Sequence, residues 1–392
     1  MTDVAGYGRL LAMLGLGVFS GTLVTRITDP LVTVLAADLG ATTARVALLA
    51  SAFALPFALI QPILGPVGDA IGKRRVIAIG LSLLTVFLVM SAFASSLDSL
   101  LVLRGLAGLA AGGVMPLSIA MVGDAVPMKD RQVALSRLVA FGITGQIVGG
   151  SIAGVLEPYL GWRGLMIAAS FMTASAAVAL VIGGRSMPGE IPRRFDPMLA
   201  VRRYLELYRM RAARVLYGSV AVEGGLVFGC FPYFAPVLQA RGLGSTTEAG
   251  LTVAAFGCGG LVFAAIAKLL LGRIGQGTMV RLGGALCLLA MCGFAFAPAA
   301  WVFIGAGLFL GTGMYMIHNT IQTRVTELSP HARGSAVALH AFHFFIGQTI
   351  GPVVYGLLLN SLGDAVALLL AGLTLLVLAM LLGRPGPRAA AA

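Results

Sequence analysis

Residues 144–150 read Thr-Gly-Gln-Ile-Val-Gly-Gly, and residues 346–352 read Ile-Gly-Gln-Thr-Ile-Gly-Pro. The glutamines of these two segments, Gln146 and Gln348, are 202 residues apart in a chain of 392. Residues 39–43 are likewise echoed by residues 243–247, at an offset of 204. A period close to half the chain length, kept at separate places, indicates that one structural unit occurs twice.

The composition places this repeat in a membrane. Hydrophobic residues make up 58% of the chain and charged residues only 11%, whereas soluble domains carry about 25% charged residues. The apolar residues form blocks of the length that crosses a bilayer, and the first block is expected to be a retained helix. We predict twelve transmembrane helices near residues 9–36, 45–66, 76–96, 99–122, 131–156, 162–184, 213–238, 249–271, 278–297, 300–323, 335–359 and 363–383.

The twelve blocks also sort the basic residues. With alternating loops, 22 of the 27 Lys and Arg residues fall on one side of the membrane, three on the other and two inside it. Cytoplasmic loops carry such an excess. We therefore expect both termini in the cytoplasm and a multi-pass protein of the cytoplasmic (inner) membrane, and the net charge of +12 does not indicate nucleic-acid binding. The four cysteines lie inside apolar blocks without a C-x-x-C pair, so we expect buried thiols and no metal site.

The blocks divide into two halves. We predict an N-terminal six-helix bundle at residues 1–184, a cytoplasmic linker at 185–212 and a C-terminal six-helix bundle at 213–392. The fold class is thus an all-α polytopic membrane protein with two pseudo-symmetric bundles. Within the linker, the pattern favours an interfacial amphipathic helix from Pro197 to Arg214.

The loop between the second and third blocks contains Gly65, Asp69 and Gly72, followed by Lys73 and Arg74. The glycines allow a tight turn, and the Asp69 carboxylate can pair with a base or a helix N-terminus, so we expect a cytoplasmic gate. Residues 65–75, Gly-Pro-Val-Gly-Asp-Ala-Ile-Gly-Lys-Arg-Arg, resemble the signature loop of the major facilitator superfamily, G-x-L-A-D-R-x-G-R-K. The resemblance implies two six-helix bundles around a central cavity.

Two further segments resemble motifs of the drug/proton antiporter branch of that superfamily. Residues 103–108 resemble its intramembrane arginine motif, and residues 145–150 resemble its G-P-x-x-G-G helix motif. In the second motif Gly145, Gly149 and Gly150 match, and Gln146 stands in the place of the proline. The resemblance implies proton-driven antiport, whereas Gln146 favours a symporter or a facilitator.

Charged residues inside the apolar blocks are candidates for proton coupling, because ionisable groups at membrane depth are costly. Arg26 and Asp29 lie in the first block and Arg104 in the fourth. Asp29 and Arg104 fall at similar depth, so we predict that they form an ion pair that protonation can break, with Arg26 as competitor. A fixed structural salt bridge is the alternative. Glu223, in the seventh block, has no basic neighbour in sequence and is a second proton-coupling candidate. A carboxylic acid hydrogen-bonded to a neighbouring helix is the alternative.

Polar residues of the tenth and eleventh blocks are candidates for the substrate cavity. His340 and His343 share one helix face, since they are three residues apart, and structural hydrogen bonding between helices is the alternative use of the histidines. The complete set of predicted cavity residues is Arg26, Glu223, His318, Asn319, His343 and Gln348.

These observations favour a secondary active transporter that works by alternating access. We expect proton-coupled efflux, that is antiport, of a small amphipathic drug-like or sugar-like molecule. A proton-coupled uptake symporter or facilitator for a small metabolite remains an alternative, and a non-transporting membrane sensor is a weaker one. Enzyme motifs are missing from the sequence, so we expect no enzyme and no cofactor. The expected partners are the small-molecule substrate, protons and the lipid bilayer, with a monomeric protein.

Overall fold

The computed structural model describes residues 7–183, 197–329 and 332–384. The described residues form α-helices joined by short turns, with 3-10 turns at Asp29–Leu31 and Phe231–Tyr233. The α-helices are α1 (Gly8–Arg26), α2 (Val32–Asp38), α3 (Thr43–Ile71), α4 (Lys73–Ala92), α5 (Leu97–Ala111), α6 (Val114–Ala125), α7 (Met128–Gly183), α8 (Pro197–Arg209), α9 (Arg211–Phe228), α10 (Phe234–Ala240), α11 (Thr246–Phe296), α12 (Ala300–Glu327), α13 (Arg333–Leu362) and α14 (Asp364–Leu382).

Ten of the described helical spans are long and apolar enough to cross a membrane. Two of them, α7 with 56 residues and α11 with 51, far exceed one crossing, which takes about 20 residues. Each contains one glycine with non-helical backbone, Gly161 in α7 and Gly275 in α11. Division at these glycines gives twelve segments, which fits the number predicted from the sequence.

The internal repeat extends to the backbone conformation. Pro30 and Pro232, 202 residues apart, each lie in a 3-10 turn that interrupts the first helix of a half. Because proline donates no N–H, a continuous α-helix is disfavoured at both places. Glycines with positive φ also recur at offsets of 202 or 203: Gly40 (59°) with Gly242 (67°), Gly72 (101°) with Gly275 (72°), and Gly161 (64°) with Gly363 (81°). The same chain reversals therefore serve both halves.

Within each half, glycines bring two helices into backbone contact. A Cβ on Gly149 of α7 would lie 2.8 Å from the carbonyl carbon of Leu23 in α1. Its counterpart is Gly351 of α13, where a Cβ would lie 3.0 Å from the carbonyl carbon of Gly225 in α9. Leu23 and Gly225 are themselves 202 residues apart, so the two helix crossings are equivalent. Small residues permit such close approach in lipid, which explains why the repeated glutamine segments are rich in glycine.

The two halves meet along α3 with α13 and along α7 with α11. Ser51 Oγ donates to the Thr349 carbonyl oxygen over 2.7 Å, and the rings of Phe57 and Phe345 lie 4.2 Å apart. Nearer the Gly161 turn, α7 and α11 touch where Gly154 faces Gly250. We call the side on which α1 begins and α14 ends the terminal face, and the other side the distal face. The Gly154–Gly250 contact closes the distal face.

The helix α8 lies in the predicted linker and contacts both halves. Tyr204 donates its hydroxyl to the Pro62 carbonyl oxygen of α3 over 3.3 Å, and the Tyr208 hydroxyl lies 3.2 Å from His343 Nε2 of α13. The helix ends at Arg209 rather than at the expected Arg214, because Met210 is extended and α9 begins at Arg211. Residues 184–196 of the linker lie outside the described residues, and the domain boundaries stay a prediction.

The cysteines depart from the sequence expectation in one respect. All four are free, and Cys230 and Cys287 are buried as expected. Cys258, however, is exposed on the surface of α11, and Cys292 is partly exposed. The prediction of uniformly buried thiols was wrong because an apolar helix in a membrane also presents small apolar residues outward.

Candidate functional site

The first part of the candidate site lies where the first helix of the N-terminal half is interrupted. Helix α1 ends at Arg26, and the following 3-10 turn begins at Asp29. Arg26 Nη1 and Asp29 Oδ2 are 3.3 Å apart, and the two residues are only 4% and 1% exposed. The break in the helix thus places an acid and a base together inside the protein.

Arg26 also extends to the C-terminal half. Its Nη2 donates to the Oε1 atom of Gln348 in α13. Its guanidinium lies over the ring of Phe228, 4.1 Å from the centroid, and 5.7 Å from that of Phe231. A cation over an aromatic face is attracted by the ring quadrupole. One buried guanidinium therefore contacts the acid of its own half together with an amide and two aromatic rings of the other half.

Arg104 is placed differently from the prediction. The expected ion partner of Asp29 was Arg104, with Arg26 as competitor, but in the structure Arg26 forms the ion pair. Arg104 Nη1 instead donates to the Val24 carbonyl oxygen over 3.1 Å, and its guanidinium lies 4.5 Å from the Phe53 ring centroid. The Val24 carbonyl is in the last turn of α1, where carbonyls lose their helical donors. Arg104 thus caps the interrupted helix, which depth alone could not reveal.

Some polar atoms of this cluster have no hydrogen-bond partner among the described residues. They include Asp29 Oδ1, Arg26 Nε, and Nε and Nη2 of Arg104. Buried polar atoms without partners are costly and uncommon in stable cores. Their concentration around one acid and two bases indicates a site whose hydrogen bonds are completed by water, by a ligand or in another conformation.

The second part of the site lies inside the C-terminal half. Glu223 of α9 is fully buried, and its Oε2 lies 3.0 Å from His318 Nδ1 of α12. This contact joins Glu223 to a neighbouring helix, which is the alternative use considered for it, and the partner lies 95 residues away in sequence. The rings of His318 and His340 are 5.1 Å apart. Glu223 Oε1 and His340 Nε2 are both buried without a partner among the described residues.

His343 and Asn319 have surroundings of their own. His343 stacks on Tyr217 with ring centroids 4.9 Å apart and contacts Tyr208 of α8, so it joins the linker helix to the C-terminal half. Asn319 is exposed on α12, as is Gln322 one turn further on. Exposed amides are unfavourable against lipid, so these two residues mark a polar part of the α12 surface.

A narrow cavity of about 10 Å³ lies between the halves beside Arg26. Gln146 lines it from α7, and Tyr315 lines it from α12. Its remaining lining residues are apolar: Ile143, Ile147, Phe228, Phe231, Val253 and Phe256. Phe228 was not among the predicted cavity residues, although the repeat offers a signal for it. Phe228 is 202 residues beyond Arg26 and therefore occupies the equivalent place in the second half.

The predicted gate lies at the junction of α3 and α4 on the terminal face. Gly72 joins the two helices with φ of 101°, and Lys73 Nζ lies 2.9 Å from Asp124 Oδ2 at the end of α6. Arg74 is partly buried. Gly65 and Asp69 belong to α3, but their side-chain surroundings are outside the described part of the structure. The role of Asp69 therefore stays a prediction.

The family model of the Major Facilitator Superfamily matches residues 14–352 and again 245–392. The chain therefore belongs to the Major Facilitator Superfamily, as the resemblance of its signature loop implied. It is a multi-pass membrane transporter rather than an enzyme, which agrees with the sequence prediction.

Relatives of known sequence cover the chain to different extents. The uncharacterized MFS-type transporter YwfA of Bacillus subtilis (strain 168) is 25% identical over 375 residues, covering 94% of this chain and 90% of YwfA. The putative multidrug resistance protein MdtD of Cronobacter sakazakii is 23% identical, and the match covers 93% of this chain and 88% of MdtD. The quinolone resistance protein NorA of Staphylococcus aureus is 33% identical over 127 residues, 32% of this chain and 33% of NorA.

Among solved structures, a mutant of the nucleoside transporter NupG matches with a TM-score of 0.78. The match covers 95% of this chain and 98% of NupG at 14% sequence identity. This likeness supports the fold.

Proposed function

We propose that the protein couples proton entry to the efflux of a small amphipathic molecule, drug-like or sugar-like, across the cytoplasmic (inner) membrane. The observation that carries the proposal is the position of Arg26, which holds Asp29 of its own half and Gln348 of the other half. A change of charge on Asp29 acts directly on the residue that connects the two halves. Proton binding and the relative position of the halves are therefore linked.

The energetic scale of this contact is sufficient for a switch. Breaking a buried ion pair by neutralising one partner costs about 3–5 kcal/mol in proteins. Moving a two-state equilibrium from one extreme to the other takes roughly 5.5 kcal/mol. Protonation of Asp29 removes the attraction that orients Arg26 (3.3 Å between Nη1 and Oδ2), and Arg26 then turns to other acceptors. The loss of this ion pair on protonation is therefore of the size that a switch between two states involves.

The cavity beside Arg26 has a volume of about 10 Å³, room for about one water, so it must widen to admit cargo, and its lining favours an amphipathic one. Aromatic rings such as Phe231 and Phe256 offer apolar surface, while Gln146 and Tyr315 offer hydrogen bonds. Ligand sites commonly combine apolar walls with a few polar groups. The buried carboxylate of Glu223, 3.0 Å from His318, adds a negative group for a cationic cargo and a second place for a proton. The names of the relatives MdtD and NorA refer to drug resistance, which favours the same cargo class.

A proton-coupled uptake symporter or a facilitator is the second candidate. It is favoured by Gln146, which replaces the proline of the antiporter motif and lines the cavity beside Arg26. In an uptake system the same Asp29 would release its proton together with the cargo rather than in exchange for it. The direction of proton movement therefore separates the two candidates, whereas the direction of cargo movement alone does not.

The test uses purified protein in liposomes that contain a pH-sensitive dye. A proton gradient is imposed, and compounds are added singly from a panel that includes a quinolone and a nucleoside. A compound that dissipates the gradient in the direction opposite to its own movement identifies an antiported cargo. Asp98→Asn is the matched control for Asp29→Asn, since Asp98 is exposed and paired with Arg45 outside the cavity. Parallel movement of proton and compound would replace antiport by symport.

A further inference from the structure

A second cavity lies at the terminal face of the C-terminal half and shares no lining residue with the cavity beside Arg26. It has a volume of about 350 Å³, and seven residues line it. Three of the seven are arginines: Arg281 of α11, Arg324 of α12 and Arg384, which follows the end of α14. The others are Ile274, Gly277, Thr278 and Gly383, so no acidic residue lines the cavity within the part of the chain that the structure describes.

The positive charge of this cavity is fixed in place by backbone contacts. Arg281 Nη2 donates to the Gly383 carbonyl oxygen over 2.6 Å, and Arg324 Nη1 donates to the Leu382 carbonyl oxygen over 2.9 Å. These bonds cap the C-terminus of α14, where cations are favourable. A guanidinium has five N–H donors, so capping engages only part of each group. The remaining donors are held around the cavity rather than moving freely in solvent.

The equivalent place in the N-terminal half is neutralised. There Lys73 forms an ion pair with Asp124 over 2.9 Å. Their counterparts at an offset of 203 are Gln276 and Glu327. Gln276 carries no charge, and its Oε1 atom accepts a hydrogen bond from Arg324 Nε over 3.4 Å. Glu327 is exposed and does not line the cavity. The second half thus has no counterpart of the Lys73–Asp124 ion pair, and three arginines line its cavity without an acid among the described lining residues.

We propose that this arginine cavity binds a phosphate group. Arginine presents a planar fork of donors that matches phosphate oxygens in bidentate geometry. Gly277 and Thr278 add to this chemistry, because the non-helical backbone of Gly275 starts a new helical segment. Backbone N–H groups in the first turn of such a segment lack helical acceptors and favour an anion.

The phosphate can belong to an anionic lipid or to a soluble compound. Basic pockets between transmembrane helices bind anionic headgroups, and the cavity lies at the level of helix ends, where headgroups are found. A bound phosphate would hold the ends of the three helix segments that carry Arg281, Arg324 and Arg384 together. Its expected effect is therefore stabilisation of the C-terminal half, independent of proton coupling at Asp29.

The full-length protein is placed in nanodiscs of phosphatidylcholine alone and of phosphatidylcholine mixed with phosphatidylglycerol. Thermal unfolding is followed with and without inorganic phosphate, with sodium chloride at matched ionic strength as control. Arg384→Gln is the main variant, because Arg384 is exposed and its removal leaves the capping bonds of α14 intact. Arg281→Gln is the second variant. Arg273→Gln is the matched control, since Arg273 is exposed outside the cavity.

A soluble phosphate ligand is supported if inorganic phosphate stabilises the protein in phosphatidylcholine. Arg384→Gln or Arg281→Gln should then weaken the apparent affinity for phosphate at least fivefold. Stabilisation only by phosphatidylglycerol, lost in the same variants, supports a lipid headgroup. Two results overturn the proposal. One is a protein that neither probe stabilises beyond the salt control. The other is an effect that Arg273→Gln reduces as much as Arg384→Gln does.

Discussion

Gly154→Ala should displace the protein from the state in which its distal face is closed. A Cβ at Gly154 would lie 2.7 Å from the Cα of Gly250 and still nearer to the carbonyl oxygen of Thr246. Carbon atoms at optimal separation are about 3.5–4.0 Å apart, so α7 and α11 must separate by about 1 Å. Backbone atoms cannot turn away as side chains do.

The clash exists only while the distal face is closed, which fixes the direction of the effect. Overpacking of this kind costs about 1–3 kcal/mol, which corresponds to a shift of roughly 5- to 150-fold between two states. Alanine is also the better helix former, so α7 itself is not weakened. The mutation is therefore expected to populate the state that is open at the distal face, without unfolding the protein.

Labelling of a cysteine placed at Thr247 measures this shift, because Thr247 Oγ1 lies 3.4 Å from the Gly154 carbonyl oxygen across the closed contact. Cys258 and Cys292 are first replaced by serine, since both have exposed surface. A membrane-impermeant maleimide is then added from the distal side. Gly305→Ala is the matched control, because a Cβ at Gly305 meets nothing within 4 Å. If a folded Gly154→Ala protein is labelled no faster than the Gly305→Ala protein, the Gly154–Gly250 contact does not control opening of the distal face.

Three further predictions follow from the charged contacts. Asp29→Asn, which removes the charge held by Arg26, should abolish pH-driven accumulation; intact accumulation under a pH gradient would contradict this. Glu223→Gln should weaken transport of cationic cargo by about tenfold and leave transport of neutral cargo unchanged, since a hydrogen bond to a charged group is worth about 1.5–3 kcal/mol. KM values for a matched pair of cationic and neutral compounds measure this difference. An equal loss for both compounds would count against a role of Glu223 in binding cationic cargo. Lys73→Gln breaks the ion pair with Asp124, whose side chain is 54% exposed, and an exposed ion pair is worth about 0.2–1 kcal/mol. The turnover rate should therefore change less than tenfold, and the order of cargo preference should be kept. A changed order of preference would show that the pair contacts cargo.

The sequence predicted the architecture because membrane crossing constrains it strongly. Block length and charge placement follow from bilayer thickness and the positive-inside bias, and the repeat marks the two glutamine segments. Gly149 and Gly351 lie in the two repeated glutamine segments and pack in equivalent ways against Leu23 and Gly225. These features are local in sequence or periodic along it, so they are accessible without coordinates.

The partners of the buried charges could not be predicted in the same way. Depth along a helix placed Asp29 and Arg104 at the same level, but the helix break at Asp29 turns its carboxylate to Arg26. The pairing of Glu223 with His318 joins α9 and α12, whose relative rotation no local pattern encodes. Side-chain partners across helices depend on rotation and register, which packing of the whole bundle decides.

The most direct test of the account follows proton and cargo movement in the same liposomes. Labelled cargo and internal pH are recorded together, first under a pH gradient and then in exchange at equal pH on both sides. If Asp29 couples protons to cargo, the wild-type protein moves protons in the direction opposite to cargo. The Asp29→Asn protein should retain cargo exchange at equal pH and lose both proton movement and uphill transport. Uphill transport with normal proton movement in Asp29→Asn would contradict it, and would leave the Arg26–Asp29 pair as a structural contact.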